Sequence, residues 1–206
     1  PHSDIEILYA GTPVESANTA MIFLHGRGAT ANDILQFSAY FHSTEIAFLA
    51  PQAANCTWYP FSFLSPVKQN EPFLSSALQK VGSIISSLRT GGLKAENTYL
   101  LSFSQGACLA LEFAGRNSEK FGGIFGLSGG LIGETVDRRR YTGDMKHTPV
   151  FLGCSDQDPH IPLTRVYESA SVFRELNADV TTSIYPDMGH TINGDEIRVI
   201  NSILKG

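Results

Sequence analysis

The chain has 206 residues, of which 42 % are hydrophobic and 17 % are charged, and its formal net charge is −5 at pH 7. This size and composition predict a single globular domain over residues 1–206, large enough to bury a core without disulfides or metals. The acidic balance provides no general attraction to nucleic acid or to an anionic membrane surface, so neither partner is expected.

The apolar runs are as short as strands. The longest, such as residues 20–24 and 46–50, fall well below the roughly 20 residues of a membrane-spanning helix, so stable membrane insertion is not expected. Three cysteines, Cys56, Cys108 and Cys154, leave an odd thiol under any pairing, which suits a reducing cytoplasm. A small-molecule substrate is the expected partner, and a homodimer is left open.

Short apolar runs rich in β-branched and aromatic residues alternate with longer segments of helical periodicity. This alternation is typical of an α/β fold with a mostly parallel sheet and helices on both faces. Strands are predicted at residues 5–9, 19–25, 46–50, 98–103, 123–127, 149–153 and 180–185, and helices at 31–41, 74–89, 105–116, 163–177 and 195–204. Thr30 with Asp33 predicts a helix cap, and Asn177 predicts a left-handed helix end. Residues 51–72 form a long connection expected near a pocket.

The stretch YLLSFSQGACLALEF, residues 99–113, places Ser104 between a predicted strand and a predicted helix. A nucleophilic serine occupies this position in the G-x-S-x-G elbow, whose small flanking residues let strand and helix approach closely. Gly106 fits the motif, whereas Ser102 stands where the first glycine is expected. Taken alone, the pattern is more typical of a serine that caps a helix.

Two later strand ends supply the partners that a nucleophilic serine requires. CSDQDPHIP follows the strand at 149–153 and YPDMGHTI follows the last strand, which gives the chain order Ser, Asp, His of the α/β-hydrolases. We therefore predict Ser104 as nucleophile, His190 as base and Asp158 as the acid that orients the base. Asp158 is preferred because the following D-P-x-I-P pattern predicts a rigid turn, and Asp156 is the alternative.

An oxyanion hole requires two backbone N–H groups near the nucleophile. Gln105 directly follows Ser104, and Arg27 lies in the H-G-R-G loop after the strand at 19–25, so their amides are the predicted donors. The alternative for this loop is a plain glycine turn before a helix. The sequence contains no C-x-x-C or H-E-x-x-H spacing, and neither a metal nor another cofactor is expected.

Five segments in this order resemble the phospholipase/carboxylesterase family of α/β-hydrolases, which includes acyl-protein thioesterases and small bacterial esterases. They are FLHGRG, APQA followed by TWYPFSF, SFSQGA, DPHIP and YPDMGHTI, and together they cover almost the whole chain. The resemblance implies an α/β-hydrolase fold without a large cap domain. It also implies a serine hydrolase with Ser104, Asp158 and His190 as the triad. Ser102 departs from the family's glycine and puts the elbow geometry in question.

The resemblance also bears on substrate binding. Trp58, Tyr59 and Phe61 match an aromatic segment of the small bacterial esterases, which implies a role in lining the substrate pocket; the alternative is that they pack residues 51–72 onto the core. Arg27 is a cation where other members carry an apolar residue. Its side chain favours acidic or polar substrates or, alternatively, forms a salt bridge with Glu71.

The expected activity is hydrolysis of carboxylic esters through an acyl-enzyme. Acyl-thioesters and lysophospholipids are alternative substrates, because the same triad can cleave all three. A protein of another class, a non-catalytic ligand-binding protein on a hydrolase scaffold, is the less favoured alternative.

Overall fold

The computed structural model describes residues 1–41 and 45–204. Within these residues the strands are β1 (Ile7–Gly11), β2 (Thr19–Leu24), β3 (Ile46–Pro51), β4 (Thr98–Phe103), β5 (Gly123–Leu127), β6 (Pro149–Ser155) and β7 (Asp179–Tyr185). The α-helices are α1 (Ala31–Leu35), α2 (Phe73–Thr90), α3 (Gln105–Arg116), α4 (Leu163–Glu175) and α5 (Gly194–Leu204). Every predicted strand is present, with limits that agree within two residues.

The strands form one sheet in the order β1-β3-β2-β4-β5-β6-β7. All neighbours are parallel except β1, which runs antiparallel to β3 at one edge. The central strands β2, β3 and β5 are buried almost throughout, as strands covered on both faces should be. The predicted mostly parallel sheet is confirmed, and within the described residues no separate cap domain covers it.

Helices cover both faces of the sheet. Side chains of α2, α3 and α4 contribute to the larger hydrophobic cluster, and those of α1 and α5 contribute to a second cluster that includes Met21 and Phe23 of β2. Alternate residues of β2 therefore belong to different cores, because successive side chains of a strand point to opposite faces.

The predicted helix at residues 31–41 is present, but its second half has a different winding. The α-helix ends at Leu35, and Gln36–Tyr40 continue as a 3₁₀-helix, a tighter winding that is common at helix C-termini. Phe41 then leaves the helix in an extended conformation and is buried in the second cluster. The predicted cap is confirmed: the Thr30 side chain accepts from the Asp33 amide, and Asp33 accepts from the Thr30 amide.

The long connection after β3 is irregular, with 3₁₀ turns at Ala54–Cys56 and Val67–Asn70. Asn55 and Cys56 both have positive φ angles, so the chain turns sharply here. The buried Asn70 side chain accepts from the Phe61 amide and donates to the Ser62 carbonyl, which closes the second half of the connection on itself. These contacts fix the path of the connection over residues 61–70.

Candidate active site

Ser104 occupies a sharp turn between β4 and α3. Its backbone has φ 54° and ψ −120°, a conformation that is strained for a residue with a side chain. The turn brings α3 very close to β2: a Cβ atom added at Gly106 would lie 2.2 Å from the Leu24 carbonyl oxygen. Only glycine allows this approach, so the strand-turn-helix elbow expected around Ser104 has its close packing at Gly106.

Ser102, the residue that departs from the elbow motif, is accommodated inside the sheet. Its side chain is fully buried, and its hydroxyl donates a hydrogen bond of 2.8 Å to the Phe125 carbonyl on neighbouring β5. A buried hydroxyl with a partner avoids the penalty of an unpaired polar group. The elbow therefore forms with serine at this position.

His190 follows β7 and connects Ser104 with Asp158, which follows β6. His190 Nε2 lies 2.7 Å from Ser104 Oγ, and His190 Nδ1 lies 2.7 Å from Asp158 Oδ2. A carboxylate can only accept from the imidazole, so the proton of the neutral ring is on Nδ1 and Nε2 is free to accept from the serine hydroxyl. This is the geometry of a serine activated by a general base.

Asp158 is held by the turn that follows it. Its side chain is fully buried, and Oδ1 accepts from the amides of His160 (2.8 Å) and Ile161 (3.0 Å). The D-P-x-I-P turn thus fixes one carboxylate oxygen and directs the other at His190. Asp156 does not reach His190; its Oδ1 accepts from the Asp187 amide at 2.8 Å and joins the loops after β6 and β7.

The H-G-R-G loop lies beside Ser104. A Cβ atom added at Gly26 would lie 3.4 Å from Ser104 Cβ, and the Gly28 amide donates to the Cys56 carbonyl at 2.7 Å. His25 anchors this loop through both of its ring nitrogens. Its Nε2 accepts from the Ala53 amide, so the proton is on Nδ1 and is donated to the Gly26 carbonyl. Burial lowers the pKa of His25, which favours this neutral form.

The Gln105 side chain binds the connection after β3, and its backbone N–H lies at the start of α3. The nearly buried amide group accepts from the Trp58 backbone N–H (2.9 Å) and donates to the Tyr59 carbonyl (2.8 Å). Its backbone N–H is the first of α3 and has no carbonyl one turn earlier within the helix. The residue therefore couples the start of α3 to the connection after β3.

The Arg27 side chain also binds this connection. Its guanidinium donates to Thr57 Oγ1 (3.1 Å), to the Pro60 carbonyl (2.9 Å) and to the Phe61 carbonyl (2.8 Å). The alternative salt bridge with Glu71 is not formed, since the Glu71 carboxylate accepts instead from the amide and hydroxyl of Ser75. The acceptors around Arg27 are therefore neutral.

The three predicted substrate-binding aromatics have different environments. Trp58 is fully buried, donates from Nε1 to the His25 carbonyl at 2.9 Å and does not line the pocket beside Ser104. Phe61 is 53 % exposed and does not line that pocket either. Tyr59 does line it. For Trp58 the geometry favours the alternative of packing onto the core.

Two pockets meet at His190. The larger has a volume of about 470 Å³ and is lined by Ser104, Gln105, Arg27 and Tyr59 among others. The smaller has a volume of about 200 Å³, and its lining includes Gly26 and Phe103. A separate cavity of about 610 Å³ between β1 and α2 contains none of the predicted site residues. The two pockets at His190 form the candidate site, because the larger is lined by Ser104 and the smaller shares His190 with it.

Cys108, one helical turn after Ser104, also lines the larger pocket. Its side chain is almost fully buried, and burial raises the pKa of the thiol to about 12, so it stays protonated and is a poor nucleophile near neutral pH. In residues 1–41 and 45–204, no group of three or more His, Cys, Asp or Glu side chains is arranged to hold a metal ion.

His160 and Phe63 also line the larger pocket, although neither was predicted from the sequence as a site residue. The ring centroid of His160 lies 4.8 Å from that of His190, with the rings inclined at 69°. The position of His160, two residues after Asp158, could have indicated its place in the pocket, because the turn that holds Asp158 also brings its own side chains there. Phe63 gave no signal, since its position depends on the path of the irregular connection.

The sheet order, the elbow and the placement of site residues at the carboxyl ends of parallel strands define an α/β-hydrolase. Residues 10–206 match the phospholipase/carboxylesterase family model, and the chain belongs to this family. It is an ester hydrolase by this membership. Within residues 1–41 and 45–204, no helix is long and apolar enough to cross a membrane.

Known proteins of this kind resemble the chain over nearly its whole length. A crystal structure of a phospholipase/carboxylesterase from Dyadobacter fermentans superposes with a TM-score of 0.95 at 46 % identity and covers 98 % of this chain and 97 % of its own. A probable carboxylesterase SOBER1-like from Arabidopsis thaliana is 26 % identical over 92 % of this chain and 79 % of its own length. Acyl-protein thioesterase 1 of Gibberella zeae is 27 % identical over 94 % and 92 %.

Proposed function

We propose that this ester hydrolase cleaves carboxylic esters through an acyl-enzyme on Ser104. The observation that carries the proposal is the pair of 2.7 Å contacts that join Ser104, His190 and Asp158 from three separate strand ends. Such a chain of contacts provides each group that acyl transfer needs: a nucleophile, a base and a carboxylate that orients the base.

In the first half of the cycle, His190 Nε2 takes the Ser104 proton as Oγ attacks the ester carbonyl carbon. The amides of Arg27 and Gln105 stabilise the negative charge on the carbonyl oxygen. Protonated His190 then gives the proton to the departing alcohol oxygen, which leaves the acyl group on Ser104. In the second half, His190 deprotonates a water molecule that attacks the acyl carbon. Protonated His190 then returns this proton to Ser104 Oγ as the bond from Oγ to the acyl carbon breaks and the acid is released.

Acyl-thioesters are the second candidate substrate class. Relatives of similar length are named acyl-protein thioesterase 1, and the same attack on a carbonyl carbon releases a thiol instead of an alcohol. A panel of ethyl esters, acyl-thioesters and lysophospholipids, with short and long chains in each class, separates the candidates by kcat/KM. A preference for thioesters or lysolipids at equal chain length would replace the carboxylic ester assignment.

Three expectations about the setting accompany this proposal. The three cysteines are free thiols, with Cys108 and Cys154 buried, which is consistent with a reducing cytoplasm. A small-molecule ester remains the expected partner. A single domain and a homodimer remain predictions, and gel filtration with light scattering measures the second directly.

Fluorophosphonate labelling tests the proposed nucleophile. We expect the reagent to modify the wild-type protein at Ser104, with loss of esterase activity in step with labelling, and to leave the Ser104→Ala variant unmodified. The Ser118→Ala variant, which removes a partly buried serine after α3, is the matched control and should label as the wild type does. Absence of labelling in a folded protein that still binds an ester analogue would identify a non-catalytic binding protein.

A further inference from the structure

We propose that the esters cleaved at this site carry an anionic group, which binds in the larger pocket, while a short apolar group occupies the smaller pocket. This inference rests on the proposed function, because it assigns a substrate class to the same site. Three features support it: the charge of the larger pocket, the state of the Arg27 guanidinium, and the contrasting composition of the smaller pocket.

The larger pocket has positive character in an acidic protein. Its described lining contains one permanent cation, the Arg27 guanidinium, and no aspartate or glutamate. The chain as a whole has a net charge of −5, so this sign is local and does not follow from composition. A cleft with one sign of charge concentrates ligands of the opposite sign.

The guanidinium of Arg27 is oriented but not neutralised. Its hydrogen bonds go to one hydroxyl and two carbonyl oxygens, and no carboxylate of the described residues forms an ion pair with it. Three of its five N–H groups are thereby used, and the side chain is fixed at the pocket before a ligand arrives. A fixed, uncompensated guanidinium favours a carboxylate or phosphate, because its planar N–H groups match such oxygens.

His160 adds a second donor to the lining of the larger pocket. Its side chain is exposed, and its ring lies edge-on to the His190 ring at 4.8 Å. The backbone amide of His160 is bound to buried Asp158, so the residue is held in place by the same turn that holds the acid. An imidazole N–H can donate to an anion whether the ring is neutral or protonated.

The smaller pocket has the opposite character. Its large apolar lining residues are Ile34, Phe37, Phe103 and Ile192. His25 and His190 also line it, and its one acidic residue in the described lining is the exposed Asp33. Hydrogen bonds from the Thr30 hydroxyl and amide lower the pKa of Asp33, so it stays ionised near neutral pH. A negative charge beside apolar walls disfavours an anion here, which directs the charged part of the substrate to the larger pocket.

Two pairs of esters, each matched in size, test the inference. In the first pair the charge is on the acyl part: monoethyl succinate against ethyl succinamate. In the second pair it is on the alcohol part: acetoxyacetate against acetoxyacetamide. Each kcat/KM ratio, anionic over neutral, is divided by the ratio for hydroxide-catalysed hydrolysis, which removes differences in intrinsic reactivity.

We expect one of the two pairs to show a preference of about tenfold for the anion, the size that one hydrogen bond to a charged group provides. The pair that shows it identifies the part of the ester that occupies the larger pocket. The preference should decrease as NaCl is raised. Ratios near one in both pairs, or a preference for the neutral ester, would overturn the inference.

Variants of the pocket residues show which side chains produce the preference for the anionic ester. Arg27→Gln and His160→Gln should each lower the ratio several-fold, while Arg27→Lys should retain part of it because the charge remains. Lys68→Gln removes a positive charge from an exposed position in the same connection, outside the pocket lining, and should leave the ratio unchanged. An equal decrease in Lys68→Gln would attribute the preference to the overall field of the protein and overturn the inference.

Binding to Ser104→Ala separates this inference from the proposed function. Calorimetric Kd values for the intact esters should show the same preference without turnover. A preference in Kd without hydrolysis by the wild type would support the inference and refute the hydrolytic mechanism. Hydrolysis of all four esters, with equal kcat/KM and equal Kd within both pairs, would support the hydrolytic mechanism and refute the inference.

Discussion

At the scale of single residues, two aspartates two positions apart have different environments and should differ in their effect on the rate. Asp158 Oδ2 contacts His190, whereas Asp156 accepts from a loop amide after β7. We expect Asp158→Asn to lower kcat by about 10⁴-fold, because the imidazole then loses the carboxylate that sets its tautomer. Asp156→Asn should lower kcat less than about tenfold. Comparable losses in the two variants would refute the assignment of Asp158.

Ser102 should matter for stability more than for rate. The Ser102→Gly change removes the buried hydrogen bond to the Phe125 carbonyl and adds backbone freedom, so we expect a loss of about 1–2 kcal/mol in unfolding free energy. The kcat/KM should stay equal or rise modestly, since the elbow gains room. Ser102→Ala separates the two effects, because it removes only the hydroxyl. Urea denaturation and esterase assays measure both, and a large loss of activity in a stable variant would contradict this expectation.

At the scale of elements, the connection after β3 is held to the H-G-R-G loop by Trp58. Replacing the indole with Trp58→Phe removes its hydrogen bond to the His25 carbonyl and leaves a small cavity, which should cost about 1–3 kcal/mol of unfolding free energy. We expect kcat to decrease through displacement of the loop. Phe61→Leu, at a half-exposed position, is the control and should change stability by less than about 0.5 kcal/mol. A change in KM alone for Trp58→Phe would favour direct substrate contact.

Helix α5 begins with a reciprocal cap between Asn193 and Glu196. Each side chain accepts from the other's amide at 2.9 Å, but Glu196 Oε1 is buried with no hydrogen-bond partner among the described residues. Burial raises the pKa of Glu196 from 4.5 to about 7. The folded protein therefore binds more protons than the unfolded chain between these pH values, and this group's contribution to stability falls as pH rises through that window.

The Glu196→Gln variant tests this effect, because glutamine does not titrate. We expect its unfolding free energy to change less between pH 4.5 and 7 than that of the wild type, by on the order of 3 kcal/mol. Glu15→Gln, at an exposed position, is the control and should retain the pH dependence of the wild type. Urea denaturation at several pH values measures the difference, and parallel profiles for the wild type and Glu196→Gln would show that Glu196 titrates normally.

At the scale of the whole molecule, the sequence predicts the sheet well because its buried strands are apolar at nearly every position and parallel strands share one carboxyl edge. That edge is where Ser104, Asp158 and His190 were expected and where they lie. The placement of Trp58 and of the Arg27 guanidinium was not predictable in the same way. Both depend on the irregular path of residues 51–72, which is set by contacts between distant segments rather than by local periodicity.

The proposed mechanism requires that Ser104 carries the acyl group during turnover. Mass spectrometry of protein quenched in acid during hydrolysis of p-nitrophenyl butyrate tests it most directly, with fragmentation that distinguishes Ser104 from nearby Cys108. The proposed mechanism predicts a butyryl group on Ser104 and none in Ser104→Ala, whose kcat should be lower by at least about 10³-fold. A butyryl group on another residue, or undiminished hydrolysis by Ser104→Ala, would contradict it.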